Sequence, residues 1–209
     1  SRQLFALYCA TKLNTKGMNI SVEQASDLIG RSKAGENIIE ELKGKGYQIS
    51  DYFLEDFSNI EPNISKNFGY LTADADPLPV EQGRDYLSAA CTKGIDFLRQ
   101  RSDKGFFMMV EGSQIDWGGH ANNSDYIIQE MIEFGQVIGQ VLDFAKADGQ
   151  TLVIVTADHE TGGYAINPGS EMGNIVSGFT STYHTGTMIP VFAYGPGAEL
   201  FSGIYENTA

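Results

Sequence analysis

The chain has 209 residues, 42% of them apolar and 11% aromatic, which is enough for one well-buried domain and excludes a disordered polypeptide. Its 27 acidic and 14 basic residues leave a net charge of −13, which repels nucleic acid and anionic membrane surfaces, so no nucleic-acid partner is expected. No apolar run approaches the length of a membrane span, and an anionic substrate would have to be drawn in by local positive charge such as bound metal ions.

In chain order, Ser21-Val-Glu-Gln24 has the form of a capping box, and Val22, Ala25, Leu28 and Ile29 follow at helical spacing, predicting a short helix to about Gly30. A second helix is predicted over Glu36 to Lys43, stopped by Gly44 and Gly46, with a strand at Tyr47-Gln-Ile49. Tyr52 to Pro79 mixes aromatics, Asn, Asp and Pro and reads mostly as loop, with a strand at Phe68 to Thr72. Leu87, Cys91, Ile95 and Leu98 mark an amphipathic helix, and Phe106-Phe-Met-Met-Val110 reads as a fully buried strand. Ile127, Met131, Phe134, Ile138, Val141, Leu142 and Ala145 recur at steps of three and four along a long helix closed by Asp148-Gly149. Thr151-Leu-Val-Ile-Val-Thr156 and Pro190-Val-Phe-Ala-Tyr194 supply two more buried strands. This alternation predicts an α/β fold with a mainly parallel sheet flanked by helices. Cys91 shares the apolar stripe of its helix, which favours a buried, inert thiol, and its pairing with Cys9 stays open at this level.

All three histidines lie beside acidic residues, in Glu111-Gly-Ser-Gln-Ile-Asp116-Trp-Gly-Gly-His120, in Thr156-Ala-Asp158-His159-Glu160 and in His184-Thr-Gly186. Imidazole nitrogen with carboxylate oxygen and no nearby thiolate is the ligand vocabulary of a zinc-type divalent metal. A single His–Asp neighbour is more often a structural pair, but three such motifs using every histidine point to a metal site. Glu111 and Asp158 each follow a predicted strand, the edge where open parallel sheets collect ligands. Asp116 and His120 are four apart, the spacing of one helical face, although Gly118 and Gly119 argue for a turn or loose helix start. Asp158 and His159 are adjacent and reach one ion only if the chain turns, which Thr161-Gly162-Gly163 allows. His184 stands in a polar stretch and is by itself evenly balanced between ligand and surface residue.

At these residues the sequence resembles the alkaline phosphatase family. Val110-Glu-Gly-Ser-Gln-Ile-Asp-Trp-Gly-Gly-His-Ala-Asn122, Val155-Thr-Ala-Asp-His-Glu-Thr-Gly-Gly163 and His184-Thr-Gly-Thr-Met-Ile-Pro-Val-Phe-Ala-Tyr-Gly-Pro-Gly197 look like its metal-binding segments in the family's order. The likeness runs from about Gly35 to Asn207, so the chain reads as the C-terminal portion of one alkaline phosphatase-like α/β domain with about 1–34 unassigned. The resemblance implies a metal-dependent phosphomonoester hydrolase with two zinc ions and one magnesium ion. Asp116, His120 and His184 would hold the first zinc, Asp158 and His159 the second, and Glu111 the magnesium. It also implies phosphate monoester substrates, a homodimer, and a periplasmic or secreted location, although Ser1-Arg-Gln-Leu-Phe5 has no signal-peptide layout.

The sequence departs from the family by lacking its nucleophilic serine, bridging Asp, magnesium-binding Thr and phosphate-clamping Arg, which all belong to an N-terminal portion. No catalytic residue is therefore assigned in this chain, Ser113 matches no nucleophile, and the phosphoserine intermediate would form on a serine outside it. Trp117 stands where family members vary among Lys, His and Trp. The 24 residues between His159 and His184 read as a plain loop. Alternative readings are another member of the same metal-dependent superfamily, such as a sulfatase, phosphodiesterase or phosphoglycerate mutase-like enzyme, or a non-catalytic metal-binding domain.

Overall fold

The structure, a computed structural model, describes residues 39–52, 55–73 and 76–206. The helix predicted from Ser21 to about Gly30, and Cys9, lie outside these residues. The chain divides into two compact units, Ser1–Pro77 with Asp96–Phe107, and Leu78–Ile95 with Met108–Ala209.

In the first unit, residues 39–44 are helical, and the chain turns through Gly46 into strand β1, Gln48–Asp51. β1 pairs in parallel with β2, Phe68–Leu71, in the register Gln48↔Phe68. The Gln48 side chain crosses the intervening loop, donating to the Glu61 carbonyl at 3.0 Å and accepting from the Asn63 N–H at 2.6 Å. Phe57 meets Tyr70 edge to face at 5.1 Å, Phe68 lies 6.2 Å from Phe97, and Ile39 and Ile60 are buried.

The second unit carries the longer of the two predicted amphipathic helices and the shorter one as far as Ile95. α1, Leu87–Arg99, buries Cys91 and Ile95, which meet Val137 of α3 in a core flanked by Leu87, Met108, Val110, Val141 and Phe144. Burial pushes the Cys91 thiol above its ordinary pKa, which suits the inert role read from its stripe. α2 spans Gln114–His120 and α3 spans Ser124–Asp148. The corner between them is closed by Asn122, a non-glycine residue at φ 49°, and by Asn123, whose side chain accepts the Tyr126 N–H at 3.1 Å as N-cap. Gly149 ends α3 at φ 69°, donating its N–H to the Ala145 carbonyl at 2.8 Å.

Beneath α3 lies a buried ionic anchor. Arg84 forms an ion pair with Glu130, lies 2.8 Å from a Glu133 oxygen, and donates from Nε to the Leu78 carbonyl at 3.0 Å. Glu130 also accepts the Val80 N–H at 2.8 Å, so the segment before α1 is tied to α3 through one guanidinium and one carboxylate.

Strand β3, Val153–Val155, pairs antiparallel with β8, Phe192–Tyr194. Between them the chain makes nested antiparallel arms. β4, Glu160–Thr161, pairs with β7, His184–Thr185, and β5, Ala165–Ile166, pairs with β6, Ser177–Gly178. The segment expected as a plain loop is thus a hairpin. The α/β alternation holds, and the expectation of a mainly parallel sheet is met only in part: among the described residues β1–β2 is parallel and the other three strand pairs are antiparallel. A parallel neighbour needs a crossover connection, and the chain from Val155 to Phe192 folds back as a hairpin instead. The Phe106–Val110 run is corrected. It is not a strand in the structure, and although Met108 and Val110 pack on the core, Phe107 is 88% and Met109 61% exposed. An extended chain alternates its side chains, and here only one side is covered.

Candidate metal centre

Two close approaches build the corner that carries the histidines. α2 is a full helix despite Gly118 and Gly119, contrary to the loose turn those residues suggest. A Cβ on Gly118 would lie 2.8 Å from Ile127 Cγ1, and one on Gly119 would lie 2.7 Å from the Thr161 carbonyl oxygen. The glycines are there because α3 and β4 touch the helix backbone, and that tertiary contact outweighs their low helix propensity. The helix then presents Asp116 and His120 on one side, as the four-residue spacing predicts.

The strand pair supplies the rest. Side chains alternate along a strand and directly paired residues share a face, so His159, Thr161 and its partner His184 point one way while Glu160 and Thr185 point the other. On that second face Thr185 donates its hydroxyl proton to Glu160, and the Gly163 and Tyr164 N–H groups donate to the same carboxylate at 3.1 and 3.2 Å. Burial favours the protonated acid, but the Thr185 hydroxyl and the two backbone donors outweigh it and hold Glu160 below its ordinary pKa. Gly163, at φ 59°, makes the turn; a Cβ there would collide with Thr180 Oγ1.

Together these elements bring Asp116, His120 and His184 into one cluster, with a ligating atom from each within 4.8 Å of the others. Asp116 Oδ1 lies 3.5 Å from His120 Nε2 and 3.7 Å from His184 Nε2. Two ligands held at about 2.0–2.2 Å with a tetrahedral angle stand about 3.3–3.5 Å apart, so the spacing fits a zinc-sized ion with small adjustments. His120 Nδ1 lies 2.8 Å from the Thr182 carbonyl, which can only accept, so Nδ1 carries the proton and Nε2 offers its lone pair. The His184 ring sits between neighbours, with its centroid 5.1 Å from His120, 3.5 Å from His159 and 4.7 Å from Tyr183.

Asp158 and His159 form a second pair, Oδ2 to Nε2 at 3.4 Å, with Asp158 exposed and His159 half-buried. The sixth residue, Glu111, keeps solvent contact, yet desolvation by its surroundings and the nearby Asp158 and Asp116 carboxylates push its pKa up. All six residues singled out in the sequence therefore lie in this corner or within electrostatic reach of it. Sequence reasoning missed Thr161, whose hydroxyl donates to Asp116 Oδ1 at 2.6 Å, and the Thr182 carbonyl. The two-residue step from His159 to Thr161 was the available signal for the first; nothing local marks the second.

The alkaline phosphatase family model matches residues 12–177, beginning well before the motif likeness at Gly35. The chain belongs to the alkaline phosphatase family. It is 47% identical to the solved alkaline phosphatase from the Antarctic bacterium TAB5, covering 86% of this chain and 54% of that one with a TM-score of 0.73. A variant of the TAB5 enzyme solved with magnesium in a site called M3 matches at 48% identity over 81% of this chain and 51% of that one, TM-score 0.71. Alkaline phosphatase 4 of Bacillus subtilis strain 168 is 29% identical over 243 residues, 82% of this chain and 52% of the relative. The chain thus spans about half the length of these relatives. No described helix is long and apolar enough to cross a membrane.

Proposed function

We propose that this chain supplies the zinc-binding half of a metal-dependent phosphomonoester hydrolase. The observation that carries the reading is the Asp116, His120 and His184 cluster, with donor spacings near those of a tetrahedral ion and with His120 held in the ligating tautomer. Asp116, His120 and His184 would hold one zinc, Asp158 and His159 a second, and Glu111 a magnesium ion. The magnesium in the TAB5 variant supports a metal-dependent site in a close relative. Bound divalent ions supply charge neutralisation and Lewis-acid polarisation to a transferring phosphoryl group.

The chain's own residues make this cation requirement physical. Glu111, Asp116 and Asp158 concentrate negative charge in a chain of net charge −13, a setting that repels a phosphate dianion until cations offset it. His120 and His184 would contribute imidazole nitrogen donors, with Asp116 and His120 half-buried and His184 open to solvent. The attacking serine and the residues that clamp phosphate are proposed to lie in the half of the family architecture outside this sequence, with a periplasmic or secreted location and a homodimer as the expected setting.

Hydrolysis of an aryl phosphate and an aryl sulfate, with zinc and magnesium present, tests the reading. The 209-residue chain alone stays near background, and adding the complementary N-terminal portion of a family member in trans raises phosphate turnover only. Parent-like turnover by the chain alone, or preferential sulfate hydrolysis by the mixture, would overturn it.

A further inference from the structure

Resting on the metal-site reading, we infer that Thr161 is a positioning residue whose single hydroxyl joins the two carboxylate–imidazole pairs, orienting Asp116 and fixing the tautomer of His159. A threonine hydroxyl has one proton and two lone pairs. Its proton goes to Asp116 Oδ1, 2.6 Å away, because a carboxylate oxygen there accepts. The second contact, 3.2 Å to His159 Nδ1, is then a hydrogen bond only if Nδ1 carries the proton and the hydroxyl oxygen receives it. His159 is left with its lone pair on Nε2, the nitrogen that stands 3.4 Å from Asp158 Oδ2. His120 reaches the same tautomer through the Thr182 carbonyl, so both rings present Nε2 by different means.

The position of Thr161 is set by the fold and not by its own flexibility. It lies in β4, directly opposite His184 and two residues after His159, which places its side chain on the face of both rings. Its β-branched side chain is stiff, and the close approach of Gly119 would bring an added Cβ within 2.9 Å of Thr161 Cβ. The residue that touches the helix backbone is thus also the one that bonds the helix's carboxylate. A shift of α2 against β4 would disturb Asp116 and His159 together, coupling the occupancy of the two sites.

Thr161→Val keeps the shape and branching and removes the hydroxyl, and Thr161→Ser keeps the hydroxyl. Long-range ¹⁵N imidazole correlation on the metal-free chain, above the imidazole titration range, reads the tautomer of each of the three histidines. The unmutated chain and Thr161→Ser are expected to show His159 protonated at Nδ1. Thr161→Val is expected to move that proton toward Nε2, where the Asp158 carboxylate accepts it, with His120 unchanged and circular dichroism like the parent's. Zinc affinity by chelator competition is expected to weaken about ten- to a hundredfold in Thr161→Val and to stay near the parent in Thr161→Ser. An unaltered His159 tautomer in Thr161→Val overturns the inference, as does a loss of affinity that Thr161→Ser shares equally. Failure of the unmutated chain to bind zinc defeats the metal-site reading instead, while the tautomer measurement still decides the hydrogen bond.

Discussion

The corner formed by α2, β4 and β7 and the ladder formed by β3 and β8 lie in the same compact unit and are built by opposite means. In the corner, two-residue strands and a seven-residue helix hold together through glycine contacts, side-chain hydrogen bonds and the anchor beneath α3. The ladder consists of apolar residues, yet of these Ile154, Phe192 and Tyr194 are exposed while Val153 is buried, and Leu152 just before β3 is exposed too. The difference teaches that intrinsic strand and helix propensity does not decide which side chains of this chain are held in place by their neighbours. Polar satisfaction and close backbone contact do so where the ligands are, while the most strand-like sequences keep exposed apolar side chains on both faces of their ladder, Ile154 on one and Phe192 and Tyr194 on the other.

The largest effect is expected at the anchor that supports the corner. Glu130→Ala leaves the Arg84 guanidinium buried with Glu133 as its remaining carboxylate partner, and removing one partner of a buried pair costs about 3–5 kcal/mol. Because Glu133 remains, a loss near about 3 kcal/mol is expected by chemical denaturation. A loss below about 1 kcal/mol would show that the anchor does not support α3 as described.

The same substitution at two glycines separates the regions next. Gly119→Ala drives a methyl into the Thr161 backbone and is expected to cost about 1–3 kcal/mol and to weaken zinc binding. Gly135→Ala, on an open face of α3 with nothing within 4 Å of the new atom, is expected to stabilise by about 0.5–1 kcal/mol. Equal signs for the two in denaturant titrations would remove the argument that contact, not propensity, selects Gly119.

A pH series examines the anchor more finely. Burial raises the pKa of Glu133 above its ordinary 4.5, with Arg84 opposing the shift. The folded state therefore holds that proton to higher pH than the unfolded chain, and the associated stability is present at low pH and lost as pH rises through the folded pKa. Glu133→Gln removes this loss, so the stability of the variant relative to the parent should rise as pH climbs from the ordinary carboxylate range through the raised pKa of the folded state. A flat or falling difference would contradict the sign.

At the ladder the expected change in stability is smallest. Ile154→Lys alters an exposed side chain and should shift the unfolding free energy by no more than about 0.5 kcal/mol. Its effect should appear instead as weaker apolar-dye binding and less self-association by light scattering, since an uncovered apolar sheet face promotes contact with other chains. Destabilisation as large as that of Gly119→Ala would mean the face is internally packed.

Much of this contrast was legible in the residues, but unevenly. The long periodic runs gave α1 and α3, and the short apolar runs gave β1, β2, β3 and β8 to within a few residues. The ligand candidates were visible because chemistry restricts them to a few residue types. Phe106–Val110 misled because its composition suits a strand while pairing depends on a neighbour that local sequence does not specify. Gly118 and Gly119 misled for the reverse reason, since only the proximity of Ile127 and Thr161 turns poor helix formers into the residues that fit. β4 and β7 are too short to carry any periodicity, so the register that sets Thr161 against His184 could not be read in advance.

His184 is therefore the most direct test of the central claim, because its local sequence context is evenly balanced, the family resemblance groups it with Asp116 and His120, and the fold brings the three together. Zinc content after gel filtration, measured by plasma mass spectrometry, should be compared for the parent, His184→Ala, His120→Ala and Glu111→Ala. The account predicts that both histidine variants lose zinc from the first site while Glu111→Ala retains it. Zinc retention in His184→Ala equal to that of the parent would contradict the three-residue centre.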